Sequence, residues 1–154
     1  MSYKVPGFMP PIYAYKSANS TNATGNNVVF TVIFDTLVFG SSSNYNAATG
    51  VLTAPYTGKY EINAYISASA FAGGATLGIM QVAATSRTIP IINQGITDLG
   101  FNSYVTFSGS AIIDMTAGDT AHVTLQMGAG TQTVTVNGDA TPNTYLQIKQ
   151  ISGN

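Results

Sequence analysis

Cysteine is absent from the 154 residues. That excludes a disulfide scaffold, a thiol nucleophile and the common cysteine-ligated zinc sites. Charge is scarce. Only 7% of residues are Asp, Glu, Lys or Arg, where a soluble domain carries about 25%. Five Lys and Arg stand against six Asp and Glu, a formal charge of −1. With no basic surplus to displace counterions, no nucleic-acid partner is expected. No apolar run approaches the roughly 18 residues of a membrane span, so no membrane insertion is expected. The opening MSYKVPGFMPPIYAY has no apolar stretch after its lysine, so no standard signal peptide is expected there. Good helix formers are few, since Glu, Lys, Arg and Leu are all in short supply.

What is present points the other way. Hydrophobic residues make up 45% of the chain, too apolar for a disordered protein and long enough to bury one sizeable core. The polar surface must come from about 45 Ser, Thr and Asn residues. Val, Ile, Thr, Tyr and Phe are plentiful, with 16 glycines as punctuation. This composition predicts an all-β domain.

Residues 1–11 hold three prolines and read as an arm before a single domain over 12–154. Ile12 to Lys16 predicts a short strand. Ser17 to Asn27 reads as a polar loop, and its sequons at Asn19 and Asn22 as chance products of an Asn- and Thr-rich stretch. Val28 to Phe34 predicts a strand apolar on both faces, and Ser41 to Gly50 a loop carrying Tyr45. From Gly58 to Ala70, Tyr60, Ile62, Ala64, Ile66 and Ala68 alternate with Lys59, Glu61, Asn63, Tyr65 and Ser67. The period of two places the first set inside. Pro90 cannot donate to a ladder, so the segment from Arg87 to Ile92 predicts an edge strand. Ser103 to Met115 alternates again, with Tyr104 and Ile112 outward. Ala117-Gly118-Asp119 is a turn. About ten short antiparallel strands are expected, in a sandwich or barrel.

Chemistry-bearing residues are thin. His122 alone could serve a Ser-His-Asp triad, but it sits mid-strand with no Gly-x-Ser-x-Gly elbow and reads as a part-buried strand histidine. The acids are scattered, with no close pair for glycoside hydrolysis. Asp98 and Asp139 are the candidates for a loop calcium site; no other cofactor is expected. Gly128-Ala129-Gly130 and Gly58-Lys59 lack the spacing of nucleotide loops and read as hairpin turns. Most of the nine tyrosines read as packing residues.

One segment goes beyond composition. From Phe34 to Ala64 the chain reads FDTLVFGSSSNYNAATGVLTAPYTGKYEINA. This resembles the signature of the complement component 1q-like globular domain, a branch of the tumour-necrosis-factor-like jelly rolls. Phe34, Tyr45, Gly58 and Tyr60 match it at the expected spacing. Leu52 and Ile62 replace phenylalanines, Gly40 an Asn or Asp, and Ala64 an aromatic. Ser108 to Asp119 is similar to that family's late strand pair and its Gly118-Asp119 turn. The resemblance implies a jelly-roll β-sandwich in which Phe34 and Tyr45 cap the core, Leu52 and Ile62 fill it, and Gly58 relieves a turn. It also implies a homotrimer acting in recognition or adhesion, with no catalytic residue.

The expected function is a non-enzymatic head on a particle or cell surface: a phage or virion fibre tip, or a bacterial surface or spore filament head. A purely structural trimerisation module and an enzyme are the alternatives. Val29, Ile33, Tyr104 and Ile112 are the candidate trimer contacts. Tyr45, Asp98 and Phe101 are the candidate loop residues for a glycan or protein receptor.

Overall fold

Alternation of inward apolar and outward polar side chains sets the architecture, as seen in a computed structural model describing residues 7–71, 74–97, 99, 102–141 and 143–153. Every strand pairing is antiparallel. The first sheet runs β4 (Thr36–Phe39), β1 (Ile12–Tyr15), β13 (Tyr145–Gly153), β7 (Gly58–Ser69), β10 (Tyr104–Met115). Above β13, the far end of β7 pairs with β12 (Val134–Val136), which carries β2 (Ser20–Thr24) at its other edge. The second sheet runs β5 (Tyr45–Asn46), β6 (Val51–Thr53), β11 (Thr120–Ala129), β8 (Ala75–Ala84), β9 (Thr88–Gly95). The short β3 (Val29–Thr31) pairs with β11 beyond β6. Pro90 lies in β9, at the sheet edge, as its missing donor requires.

The core lies between the sheets. Tyr60, Ile62, Ala64, Ile66 and Ala68 point into it from β7, and Phe107, Ala111, Ile113 and Met115 from β10. Val123, Leu125, Met127, Met80 and Val82 face them from the second sheet. The signature residues Phe34, Tyr45, Leu52, Tyr60 and Ile62 are all buried. The Tyr45 hydroxyl donates to the Phe34 carbonyl at 3.1 Å, locking the two core caps together. Asp119 Oδ2 accepts the Thr116 N–H at 2.8 Å and Gly118 takes a φ of 93°, so this turn is built by a capping carboxylate and a left-handed glycine.

Four local expectations are corrected. Gly58 relieves no turn and belongs to no hairpin: it opens β7, where a Cβ would collide with the Ser152 carbonyl oxygen of β13. Gly128-Ala129-Gly130 is not a hairpin either, because β11 and β12 lie in different sheets and the segment carries the chain across. The polar Ser17–Asn27 stretch contains β2, whose pairing with β12 outweighs its weak strand propensity. Only Val29–Thr31 of the expected Val28–Phe34 strand joins a ladder, although Val32 and Phe34 do point inward. Residues 7–11 lie against the sandwich: Met9 is buried and its N–H donates to Gln150 Oε1 at 2.8 Å.

The sheets approach closely where Gly78 of β8 meets Phe107 of β10; a Cβ there would stand 2.5 Å from the ring. Gly78→Ala should therefore cost about 1–3 kcal/mol through overpacking, read from urea unfolding; an unchanged midpoint would show that the sheets can separate freely. Burial, with the Asp35 carboxylate adding, pushes the Tyr45 phenol well above its ordinary range, and burial also raises Tyr60. The unfolded chain loses these protons from about pH 10, while the folded chain keeps them. Stability from the neutral phenols is thus complete below about pH 10 and falls as pH rises above it. In an alkaline titration followed by phenolate absorbance, the Tyr45 ring should ionise only as the fold is lost, and Tyr60 should ionise later than in the unfolded chain. All tyrosines titrating together with the circular dichroism intact would refute this.

Candidate functional site

The outer face of the first sheet is built by the same period of two that fills the core. Its central feature is a ribbon of four aromatic rings across four strands. Phe39 of β4 stacks on Tyr13 of β1 with centroids 5.6 Å apart. Tyr13 meets Tyr145 of β13 at 5.9 Å, and Tyr145 stacks on Tyr65 of β7 at 5.1 Å with an interplanar angle of 3°. Register explains the order. Tyr13 lies opposite Phe39 and Tyr145 opposite Tyr65, whereas Tyr13 reaches Tyr145 diagonally because it pairs with Gln147. Burial, then the neighbouring Tyr145 and Tyr15 hydroxyls, raise the pKa of Tyr13.

Immediately beside the ribbon the face is polar and uncharged. Ser108 lies opposite Tyr65, and Asn63 lies between Gln147 and Ser110. Below them a shallow depression is walled by Phe39, Asn63 and Gln147 and floored by the ion pair Lys149–Glu61, 2.9 Å long. At the lower end Asp114 bridges Lys59 at 2.6 Å and Arg87 at 3.3 Å. The hydrogen bond and charge of Lys59, with Arg87 adding, hold the Asp114 carboxyl below its ordinary value.

The candidate contacts divide between the two sheets. Tyr104 and Ile112 are 76% and 57% exposed on the ribbon's side. Val29 is exposed on the second sheet, opposite Gln126, and Ile33 is half-buried just beyond β3. Tyr45 is 1% exposed, so as a receptor contact it is corrected: its ring belongs to the core. Asp98 and Phe101 lie outside the described residues. Asp139 stands in the loop after β12, where Oδ1 accepts the Thr141 N–H at 3.3 Å.

No nucleophile–base pair is assembled from the sequence candidates. His122 is half-buried on β11 opposite Ala83, and Asp119 is turned toward the Thr116 N–H. Among the described residues no three His, Asp or Glu side chains gather into a metal-binding group. A polar pair that sequence reading missed is Lys16 with Asp35. Burial lowers the Lys16 pKa against the pull of Asp35. Burial opposes ionisation of Asp35, yet donation from the Ser17 N–H at 2.9 Å and the Thr36 hydroxyl at 3.0 Å, with Lys16 nearby, holds its carboxyl below the ordinary value. The Asp35 carboxylate, accepting from Ser17 and Thr36, ties the end of β1 to the start of β4. The aromatic ribbon was also missed. Its only sequence signal was that Tyr13, Tyr65 and Tyr145 each fall at outward positions of alternating strands.

Comparison with known proteins agrees with this geometry. The sequence model described as "C1q domain" matches residues 14–145. A comparison with curated protein sequences finds no match. Among solved structures, the globular domain of zebrafish complement 1qA superposes with a TM-score of 0.67 at 15% identity, covering 95% of this chain and 99% of that one. The Eiger tumour necrosis factor of S. frugiperda gives 0.60 at 11% identity over 97% and 96%. Murine APRIL gives 0.58 at 10% identity over 92% and 98%. At such identities the superpositions speak for the fold alone, and they make the two-sheet sandwich the jelly roll that the Phe34-to-Ala64 signature implied. The matched model spans nearly the whole domain, and the chain belongs to the C1q domain family.

Proposed function

We propose that the chain is a homotrimeric, non-enzymatic recognition head carried on the surface of a particle or cell, such as a phage or virion fibre tip or a bacterial or spore filament. The observation that supports it is the aromatic ribbon. Four rings lie side by side on one face, with the uncharged Asn63, Ser108, Ser110 and Gln147 beside them, and a lone soluble chain rarely leaves such a patch in water. Closed rotational symmetry buries it without leaving open ends, and C1q-like domains assemble as threefold rotors. The ribbon also narrows the contact. On the second sheet the exposed Val29 lies opposite the polar Gln126 and beside Thr31, with no aromatic ring among those pairs. Tyr104 and Ile112 each lie four residues along β10 from the Ser108–Tyr65 rung, on opposite sides of it, about 14 Å away at the rise of a strand. The proposed interface is therefore centred on the ribbon, with Val29, Ile33, Tyr104 and Ile112 away from its centre.

Light scattering on the native protein should give three times the 16.0 kDa chain mass; a stable folded mass of one chain at micromolar concentration would overturn the assembly. Tyr65→Lys and Tyr145→Lys should each yield insoluble or dissociated chains, because each would bury an unpaired ammonium. Folded trimers from both would move the interface elsewhere. For the non-enzymatic half, His122→Ala should keep the fold and change stability by no more than about 1 kcal/mol. A hydrolytic activity lost in that variant while its circular dichroism stays native would sink this reading.

A further inference from the structure

At the upper end of the first sheet, beyond the ribbon, a polar cleft opens between the start of β10 and the loop after β12. It measures about 370 Å³, within the roughly 300–1,000 Å³ of small-ligand sites. Its wall is rigid. The Asn137 side chain is held on both ends, accepting from the Ser69 hydroxyl at 2.9 Å and donating to Ser67 Oγ at 3.1 Å. The Gly138 N–H donates to Asn19 Oδ1 at 2.8 Å, and the Asp139 N–H to the Lys16 carbonyl at 3.1 Å. Gly138 lies so close to Ala18 that a Cβ would stand 2.7 Å from its carbonyl carbon. A loop fixed this firmly presents its remaining groups pre-oriented.

Those groups form a set. The Tyr104 ring is 76% exposed and lines the cleft. Asp139 keeps Oδ2 for a ligand once Oδ1 has accepted the Thr141 N–H. Asn19 keeps its NH₂ once its carbonyl oxygen has accepted the Gly138 N–H, and Asn143 lines the same cleft. A carboxylate acceptor beside amide donors matches adjacent hydroxyls, each of which both gives and takes a hydrogen bond. An aromatic face matches the C–H face of a sugar ring. The carboxylate disfavours an anion, and one carboxylate with amides is a poor cage for a free cation. We propose that this cleft binds a neutral hexopyranose unit of a glycan, stacked on Tyr104 with its hydroxyls held by Asp139, Asn19 and Asn143. The proposal rests on the recognition reading above and names its ligand class.

A glycan array bearing neutral, sialylated and sulfated sugars tests it, using the native full chain, Tyr104→Ala and Asp139→Asn, with labelled protein on whole cells alongside. Native protein should mark neutral glycans, and each variant should lose tenfold or more of that binding while keeping oligomeric mass and melting temperature. Chelation by EDTA should leave the binding unchanged; loss with EDTA would replace direct contact by a calcium bridge and overturn the proposal. Glycan binding that survives both substitutions would place the ligand elsewhere and leave the recognition reading standing. So would a silent array with cells still labelled. Silence on array and cells together would remove both readings and leave a structural trimerisation module. A fall in oligomeric mass for Tyr104→Ala would make that ring a subunit contact and overturn the cleft.

Discussion

Strand β7 is the constraint on which the rest depends. It pairs along its length with β10 on one side and with β13 and then β12 on the other. A shift of one residue in its register would turn every side chain over. Tyr60, Ile62, Ala64, Ile66 and Ala68 would leave the core, and Glu61, Asn63 and Tyr65 would enter it. The same register places Tyr65 against Tyr145. Core and ribbon are thus the two faces of one decision. Gly58 opens it: the Ser152 carbonyl comes too close to its Cα for any side chain, so β13 seats against β7 here only because the residue is glycine.

The space between the sheets is divided unevenly. Small residues on one side receive large rings from the other, as Gly78 receives Phe107. At the open edge of the sandwich, Gly109 of β10 receives Ile91 of β9, bringing the two edge strands together without hydrogen bonds between them. The ends are closed by hydroxyls on carbonyls: Tyr45 on Phe34 at 3.1 Å, and Tyr60 on Tyr56 at 2.5 Å. Each ring fills the core while its oxygen satisfies a carbonyl that would otherwise be left unpaired at the rim.

This division explains what could be read from the sequence. The long strands β7 and β10 carry their period openly, and Pro90 marked an edge by its chemistry alone. The signature from Phe34 to Ile62 gave the fold because its residues are the core caps and fillers. Pairing partners were not legible. β2 looks like a loop because Asn22 and Ala23 are poor strand formers set in a Ser- and Asn-rich run; only β12 makes it a strand. Gly58 and Gly128 looked alike as turn glycines, since sequence shows that a Cβ is missing and not what occupies its place. The ribbon needed registers between β4, β1, β13 and β7, which join segments as far apart in the chain as Tyr13 and Tyr145. The cleft likewise gathers Asn19, Tyr104 and Asp139 from three distant segments.

The scarcity of charge, first met as a composition, becomes a distribution. Among the described residues, Lys59 and Arg87 share Asp114, Lys149 holds Glu61, and Lys16 lies within the influence of Asp35. No described cation is left to gather into a patch for anionic partners. Asp119 is turned inward on its own turn by the Thr116 N–H. Asp139 is different: it faces an open cleft with one oxygen committed to its loop. In a surface made mostly of Ser, Thr and Asn, one oriented carboxylate beside an exposed ring sets a local chemistry that the rest of the surface lacks. Solvent-separated charges would blur that contrast through long-range fields, and their pairing elsewhere keeps it local. A surface with few charges is thus compatible with both proposals: closure of copies on the ribbon, and discrimination of a neutral ligand by the shape and hydrogen bonding of a single cleft.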